Sequence, residues 1–227
     1  DLKSFQGREK ERYVLDNKNP EIVFTQGYSA TNTFYNNMAY FCICTFGGSE
    51  DLISLYNRFE EQQIKDLRLD AFFEVIGDEQ YKMSKVGEKV YDCFVIRSAE
   101  LYLNKAEAEA MLDKVEAVQT IKTLLNNRFE GGIPDIDGLS GKDLVSFIRD
   151  ERRRELCFEA HRWFDLRRYA VSPKYPEKKS IRHTAYDIKG KLEGDYVLKP
   201  YGEDPAWVLP IPGYEIVYNQ GNLVDNP

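Results

Sequence analysis

Between Asp92 and Arg128 the apolar positions recur at helical intervals. Ile96, Ala99, Leu103, Ala106 and Ala110 step by alternating threes and fours and make one stripe. After Leu112-Asp113 a second amphipathic segment places Val118, Ile121 and Leu125 on one face, and Gly131-Gly132 with Pro134 closes it. Two helices joined by so short a turn form an αα-hairpin. The alanines in the first stripe let a neighbouring helix approach closely, as in tetratricopeptide-type pairs, although a single hairpin shows no repeat.

A third helical pattern starts at Ser140. Ser140 and Asp143 fit a capping box and Leu139 and Leu144 fit a hydrophobic staple, so the entry is specified twice. From Lys142 to Tyr169 the pattern runs on without Gly or Pro, which predicts one helix of about seven turns. Its charges form a ladder: Asp150 with Arg154 and Arg162 with Asp165 are opposite pairs at helical spacing, and Glu151 and Glu155 share a face. Arg152, Arg153 and Arg154 are interrupted by Asp150, Glu151 and Glu155, which favours intramolecular ion pairs over a phosphate-binding patch.

Elsewhere the signals are shorter. Glu21 to Thr25 is β-prone after Pro20, and a helix from about Glu50 to Phe59 follows Ser49 with acids in its first turn. Asp66 to Val75 is ambiguous between strand and helix. Residues from Ser172 to about Gly202 read as a polar surface excursion, and Trp207 to Pro212 as extended chain fixed by two prolines. The architecture expected is mainly α: an αα-hairpin plus a long helix, with irregular loops and short strands.

Composition narrows the function. A net charge of −7 and a pI near 5.1 argue against a general nucleic-acid binder. The longest apolar run, Met38 to Phe46, is too short for a membrane-spanning helix. Four cysteines, Cys42, Cys44, Cys93 and Cys157, are too sparse for a disulfide scaffold, and with only His161 and His183 beside them they make no zinc set. Neither a G-x-S-x-G elbow, a Walker loop nor an H-E-x-x-H helix is present. A glycoside hydrolase needs two carboxylates beside aromatic subsites, but Glu50 with Asp51 is better read as a helix start and Glu107 with Glu109 as a solvated face.

Three long blocks of residues and three shorter ones carry a family resemblance. Arg97-Ser98-Ala99-Glu100-Leu101-Tyr102-Leu103-Asn104-Lys105-Ala106-Glu107-Ala108 resembles the R-x-A-E-x-Y-L-N-x-A-E-A helix of the SusD/RagB family. Glu151 through Arg154-Glu155-Leu156-Cys157-Phe158-Glu159 to Arg162-Trp163-Phe164-Asp165-Leu166-Arg167-Arg168 is similar to its E-R-x-x-E-L-x-F-E-x-x-R-W-F-D-L-x-R segment. The close, Leu209-Pro210-Ile211-Pro212 with Glu215-Ile216, Asn219 and Asn226-Pro227, is similar to its terminal signature, and Glu21-Ile22-Val23-Phe24, Asp51-Leu52 to Tyr56 and Asp66-Leu67-Arg68 echo earlier blocks.

The resemblance covers residues 1–227 as one carboxy-terminal family domain. Within it, residues 1–90 form a loop-rich, glycan-facing part, 91–170 a helical core, and 171–227 a loop and extended cover. The chain begins without Met or an apolar leader, as an excised or processed piece would, so the lipid anchor of the family is expected in a preceding part. What the resemblance implies is non-enzymatic capture of a glycan or oligosaccharide at the outward face of the bacterial outer membrane, by a protein that would sit as a lid over a SusC-like TonB-dependent transporter in that membrane. It implies no cofactor, and structural rather than catalytic roles for the shared motifs.

Rings free to stack on sugars are expected in Tyr28 to Phe46, where Tyr28, Phe34, Tyr35 and Tyr40 lie among Ser, Thr and Asn. Asn32 and Asn36 (with Asn37) could bond sugar hydroxyls. Trp163, Phe164, Tyr102, Phe158 and Trp207 are assigned to packing, because rings at helical positions usually fill a core. The competing reading is a structural or protein-docking module whose glycan contacts lie elsewhere.

Overall fold

In a computed structural model the described residues are 2–5, 19–26, 47–76, 80–85, 94–187 and 191–225. They fall into two units, Asp1–Arg162 and Trp163–Pro227.

The first unit is built on the predicted hairpin. Helix α3 (Ser98–Met111) and helix α4 (Glu116–Leu125) pack against each other, and α5 (Gly141–Glu155) packs on α3. The alanine-rich stripe explains the closeness: Ala99, Leu103, Ala106 and Ala110 are all buried, as are Ala117, Ile121, Leu124 and Leu125 opposite them. Ile96 does not continue the stripe. It lies in strand β5 (Phe94–Arg97) and is exposed, because the chain here pairs with β1 (Ile22–Gln26) before the helix begins. Glu107 is buried as well, bonded to Arg149 across the α3–α5 contact, so the expected solvated face at Glu107 and Glu109 is only partly so.

The remaining elements of this unit are short. Helix α1 (Glu50–Asn57) has Ser49 at its N-cap, with the Ser49 hydroxyl bonded to Asp51 at 2.6 Å. The ambiguous segment is both things in turn. Strand β2 (Lys65–Asp66) is followed by α2 (Arg68–Phe72), β3 (Phe73–Ile76) and β4 (Gln80–Met83), and β3 pairs with β4 in an antiparallel hairpin. Phe5, Leu52, Ile53, Tyr56, Phe72, Phe73 and Cys157 share one core cluster, in which Cys157 is a free thiol and Tyr56 donates to the Arg154 carbonyl at 2.7 Å. Burial and the neighbouring Cys157 push the Tyr56 hydroxyl pKa well up, so it stays a donor. Cys42, Cys44 and Cys93 lie outside the described residues.

Helix α4 ends at Leu125, earlier than the glycines predicted, and strand β6 (Phe129–Glu130) then pairs with β2. Gly131 follows with φ +81°, and a Cβ there would sit 2.4 Å from the Gln63 carbonyl oxygen. Backbone cannot yield as a side-chain tip does. Gly131→Ala should therefore cost about 2–4 kcal/mol, whereas Gly138→Ala, with open space around its Cα, should stay within about 0.5 kcal/mol. Urea melts of the two variants check this, and equal midpoints would contradict it.

The single long helix expected from Lys142 to Tyr169 is two. Helix α5 stops at Glu155, residues 156–161 turn, and α6 (Arg162–Ala170) begins the second unit. Phe158 and Ala160 both take left-handed backbone, with φ of 61° and 63°. Each such residue costs about 1–3 kcal/mol, so something tertiary holds the break. The turned carbonyls are claimed by buried cations: Lys85 Nζ donates to the Glu155 carbonyl at 2.6 Å and to the Cys157 carbonyl at 3.1 Å, and Arg97 donates to the Glu155 carbonyl at 2.7 Å.

In the second unit Trp207 is buried, donates to the Lys199 carbonyl at 2.7 Å and stacks on Trp163 with centroids 4.4 Å apart. Phe164 is 66% exposed and does not belong to the core, since neighbours on a helix diverge by about 100°. The polar excursion contains a β-hairpin, β7 (Ile181–Tyr186) with β8 (Leu192–Leu198). After Pro212 a short helix α7 (Gly213–Tyr218) buries no residue.

Candidate functional site

The shared motifs converge on one buried assembly in the first unit. Arg68 stands at the start of α2, Lys85 just after β4, Arg97 at the end of β5, Arg128 before β6, and Arg154 on the last turn of α5; each is fully buried. Facing them are Glu21, Asp66, Glu151, Glu155 and Glu159. Five cations thus meet five carboxylates, and this group is neutral as a whole.

Glu155 is the hub. Its Oε1 accepts from Arg97 at 2.6 Å and Arg128 at 3.0 Å, and its Oε2 accepts from Arg68 and Arg128, both at 2.9 Å. Glu21 takes Arg97 at 2.8 Å, Arg128 at 2.5 Å and the Lys3 amide at 2.8 Å. Glu151 takes both Arg68 and Arg154, while Asp66 forks onto Arg68 at 2.8 and 2.7 Å. Glu159 takes Lys85 with one oxygen and Arg97 with both.

Burial alone would raise these carboxyl pKa values. At Glu155 the guanidiniums of Arg128, Arg97 and Arg68 outweigh burial and hold the carboxyl well below its usual range. At Glu159 burial is likewise outweighed, by Arg97 and Lys85, and the value falls to about 2. Asp66 goes the other way, because burial wins over Arg68 and Arg154 there. Glu151, Glu155 and Glu159 are thus held ionised, with their oxygens bonded to buried cations. Such groups fix geometry; a general acid needs a proton near neutral pH and access to substrate.

A second feature is a cleft of about 450 Å³ at the far end of the αα-hairpin, where Val115, Val118, Leu139 and Leu144 provide apolar wall and Lys114, Gln119 and Ser140 polar rim. Ser140 occupies the N-cap of α5 with extended backbone, but its side chain makes no capping bond, so the expected capping box is not closed.

The residues assigned to the sugar face, Tyr28, Asn32, Phe34, Tyr35, Asn36 and Tyr40, lie outside the described residues. Their chain neighbours are described on both sides. The ion pairs expected around Arg152 to Arg154 are present, and Arg154 with Glu151 is buried; what sequence reasoning missed is that Glu21, Asp66, Lys85, Arg97 and Arg128 join them in one assembly. Its signal was present in Glu21, Asp66, Arg68, Arg97 and Glu155, charged residues embedded in family blocks.

A mainly α chain, with an αα-hairpin, a helix packed across it and short two-stranded sheets around a buried ionic centre, has the SusD-like fold. Solved structures show the same architecture: a SusD-like carbohydrate binding protein from Bacteroides vulgatus ATCC 8482 aligns with a TM-score of 0.56 at 18% identity, over 94% of this chain and 51% of that one. A SusD-like protein from Bacteroides fragilis NCTC 9343 aligns with a TM-score of 0.54 at 21% identity, over 92% and 54%.

The sequence profile of the SusD family matches residues 67–227, and the chain belongs to that family. Among its relatives, SusD-like protein P38 of Formosa agariphila is 33% identical over 113 residues, which are 46% of this chain and 21% of the relative. SusD-like protein P2 of the same organism is 28% identical over 147 residues, 58% of this chain and 25% of the relative. The chain therefore spans a quarter or less of these relatives and about half of the solved chains.

Proposed function

We propose that this chain is the carboxy-terminal, glycan-binding part of a non-catalytic surface protein that captures oligosaccharides for a SusC-like TonB-dependent transporter. The observation that carries the reading is the pairing of family membership with the fate of the motif charges: the acids of the shared motifs are taken up by buried arginines, which supports a structural rather than a catalytic service for them. The solved relative named as carbohydrate binding lends the ligand class. In this reading Tyr28, Tyr35 and Tyr40, with Phe34, stack on pyranose faces, and Asn32 and Asn36 bond hydroxyls. Outward-facing attachment to the outer membrane is through a lipid on a preceding part; among the described residues no helix is long and apolar enough to cross a membrane.

A protein-docking role is the second reading, favoured by α7, which exposes Tyr214, Val217 and Tyr218 and buries nothing. Isothermal titration of the chain with maltohexaose, laminarihexaose and xylohexaose, alongside a reducing-end assay of the same mixtures, separates the readings. Saturable heat without new reducing ends is expected. No heat with any of them favours docking, and steady release of reducing ends contradicts capture without turnover.

A further inference from the structure

Residues 142–169 contain neither Gly nor Pro and carry a helical pattern throughout, yet the chain leaves the helix after Glu155. An α-helix continues only where each carbonyl accepts the amide four residues on. Past Glu155 the carbonyls of Arg154, Glu155 and Cys157 would have to take the amides of Phe158, Glu159 and His161. Side chains from three distant elements have taken them instead. Tyr56 on α1 donates its hydroxyl to the Arg154 carbonyl at 2.7 Å, and Lys85 beyond β4 donates to the Cys157 carbonyl at 3.1 Å. The Glu155 carbonyl takes both Lys85 at 2.6 Å and Arg97 of β5 at 2.7 Å, one donor for each lone pair. The Glu159 amide turns to the Leu156 carbonyl, at 3.2 Å.

The turn in its place also secures the donors that impose it. Glu159 lies within the turn, and its carboxylate takes Lys85 on Oε1 and Arg97 on both oxygens, at 2.9 and 2.8 Å. The Phe158 ring meets Phe73 edge-on with centroids 5.9 Å apart. Opposing these contacts is the backbone itself, because Phe158 and Ala160 both hold left-handed φ values that side-chain-bearing residues disfavour. A segment with helix-compatible sequence is thus kept in a strained turn by groups remote in the chain.

We propose that residues 156–161 are a conformational latch with two forms. With the Lys85–Glu159 pair seated, α5 stops at Glu155; with that pair removed, the segment returns to α-helix and lengthens α5 by about one and a half turns. The physical basis is competition for the same acceptors. Nothing local enforces the break, so the balance between turn and helix is set by the donors that reach the carbonyls of residues 154, 155 and 157. The end of α5 is in this way made conditional on the seating of α1, β4 and β5, the elements that supply Tyr56, Lys85 and Arg97.

The test uses the double variant Lys85→Met with Glu159→Gln, which removes one cation and one anion and so keeps the buried assembly neutral. Its control is Leu144→Ala, a buried truncation on α5 outside the latch. Both are compared with the unaltered chain by backbone NMR, and hydrogen exchange at the residue 159 amide is read in urea concentrations that match the chains in global stability. The proposal expects the double variant alone to show an unbroken run of Hα to amide contacts three residues apart through residue 161. It expects φ at Phe158 and Ala160 to turn negative, and exchange at residue 159 to slow by about tenfold or more against Leu144→Ala. Lost packing by itself only loosens a segment, so a gain of helix separates the latch from ordinary destabilisation. Left-handed φ at both residues in the double variant overturns the proposal, and so does a segment without helical contacts. Should the double variant not fold, Tyr56→Phe decides, since it frees the Arg154 carbonyl and keeps the ring. Microsecond-to-millisecond exchange should then appear at Phe158 and Ala160 where the unaltered chain has none, and its absence overturns the proposal.

Discussion

Glu155→Gln should lose about 3–5 kcal/mol of folding stability, the largest effect expected of any single substitution in the first unit. The reason is stoichiometric as well as geometric. Glu155 bonds Arg97, Arg128 and Arg68 at once, all fully buried, and removing its charge leaves five cations facing four anions where no water can screen the excess. That its carboxyl is held well below the usual range despite burial means attraction outweighs desolvation for the charged form. Natural domains have about 5–15 kcal/mol in hand, so the variant should sit near the edge of unfolding. The exposed pair Lys178–Glu203 offers a contrast: Glu203→Gln should change stability by less than about 1 kcal/mol. A double variant, Glu155→Gln with Arg128→Gln, restores neutrality and should lose less than the sum of its parts. Urea melts give all of these, and an additive double variant or a Glu155→Gln loss below about 1 kcal/mol would contradict the account.

Acid should unfold the first unit through the same group. Glu159 has a folded value of about 2 against 4.5 for an unperturbed glutamate. Its contribution, about 3 kcal/mol, is present in full above the unfolded value and is lost as pH falls from about 4.5 towards 2. Glu151 and Glu155, also lowered, act with the same sign, while Asp66, raised by burial, gives back part of the loss as it protonates. The urea midpoint should be flat from about pH 8 to 5.5, fall steeply below about 4.5, and fall less steeply in Glu159→Gln. A midpoint that holds or rises between pH 5 and 3 would contradict this. High salt should matter little, because the pairs are buried from counterions.

The helical core was legible from periodicity alone: the stripe Ala99, Leu103, Ala106, Ala110 and the entry at Ser140 lie where the pattern put them, and the family motifs named the fold. The break after Glu155 was not legible. Local sequence there contains neither Gly nor Pro, and the turn exists because Lys85 and Arg97, some 60–70 residues away in the chain, take its carbonyls. Glu107 misled for a related reason, since its partner Arg149 is 42 residues distant. Glu107 was read as part of a solvated face because burying charge is costly, and only pairing makes it tolerable. The hairpin of β7 and β8 escaped because its strands are mostly exposed and lack the alternation that marks a half-buried strand. Phe164 shows the converse error, a large ring given to the core on residue type although its helix turns it outward.

The account's central claim is that the shared motifs form a rigid ionic scaffold and that the rings of residues 27–46 do the binding. Titrating maltohexaose, laminarihexaose and xylohexaose into the chain and into its Tyr28→Ala and Tyr35→Ala variants tests both halves together. The account predicts saturable binding to the unaltered chain, a loss of about tenfold or more in each variant, equivalent to ~1.4 kcal/mol, and urea midpoints that do not move. Undiminished affinity in both variants, or midpoints that fall with the affinity, would contradict it.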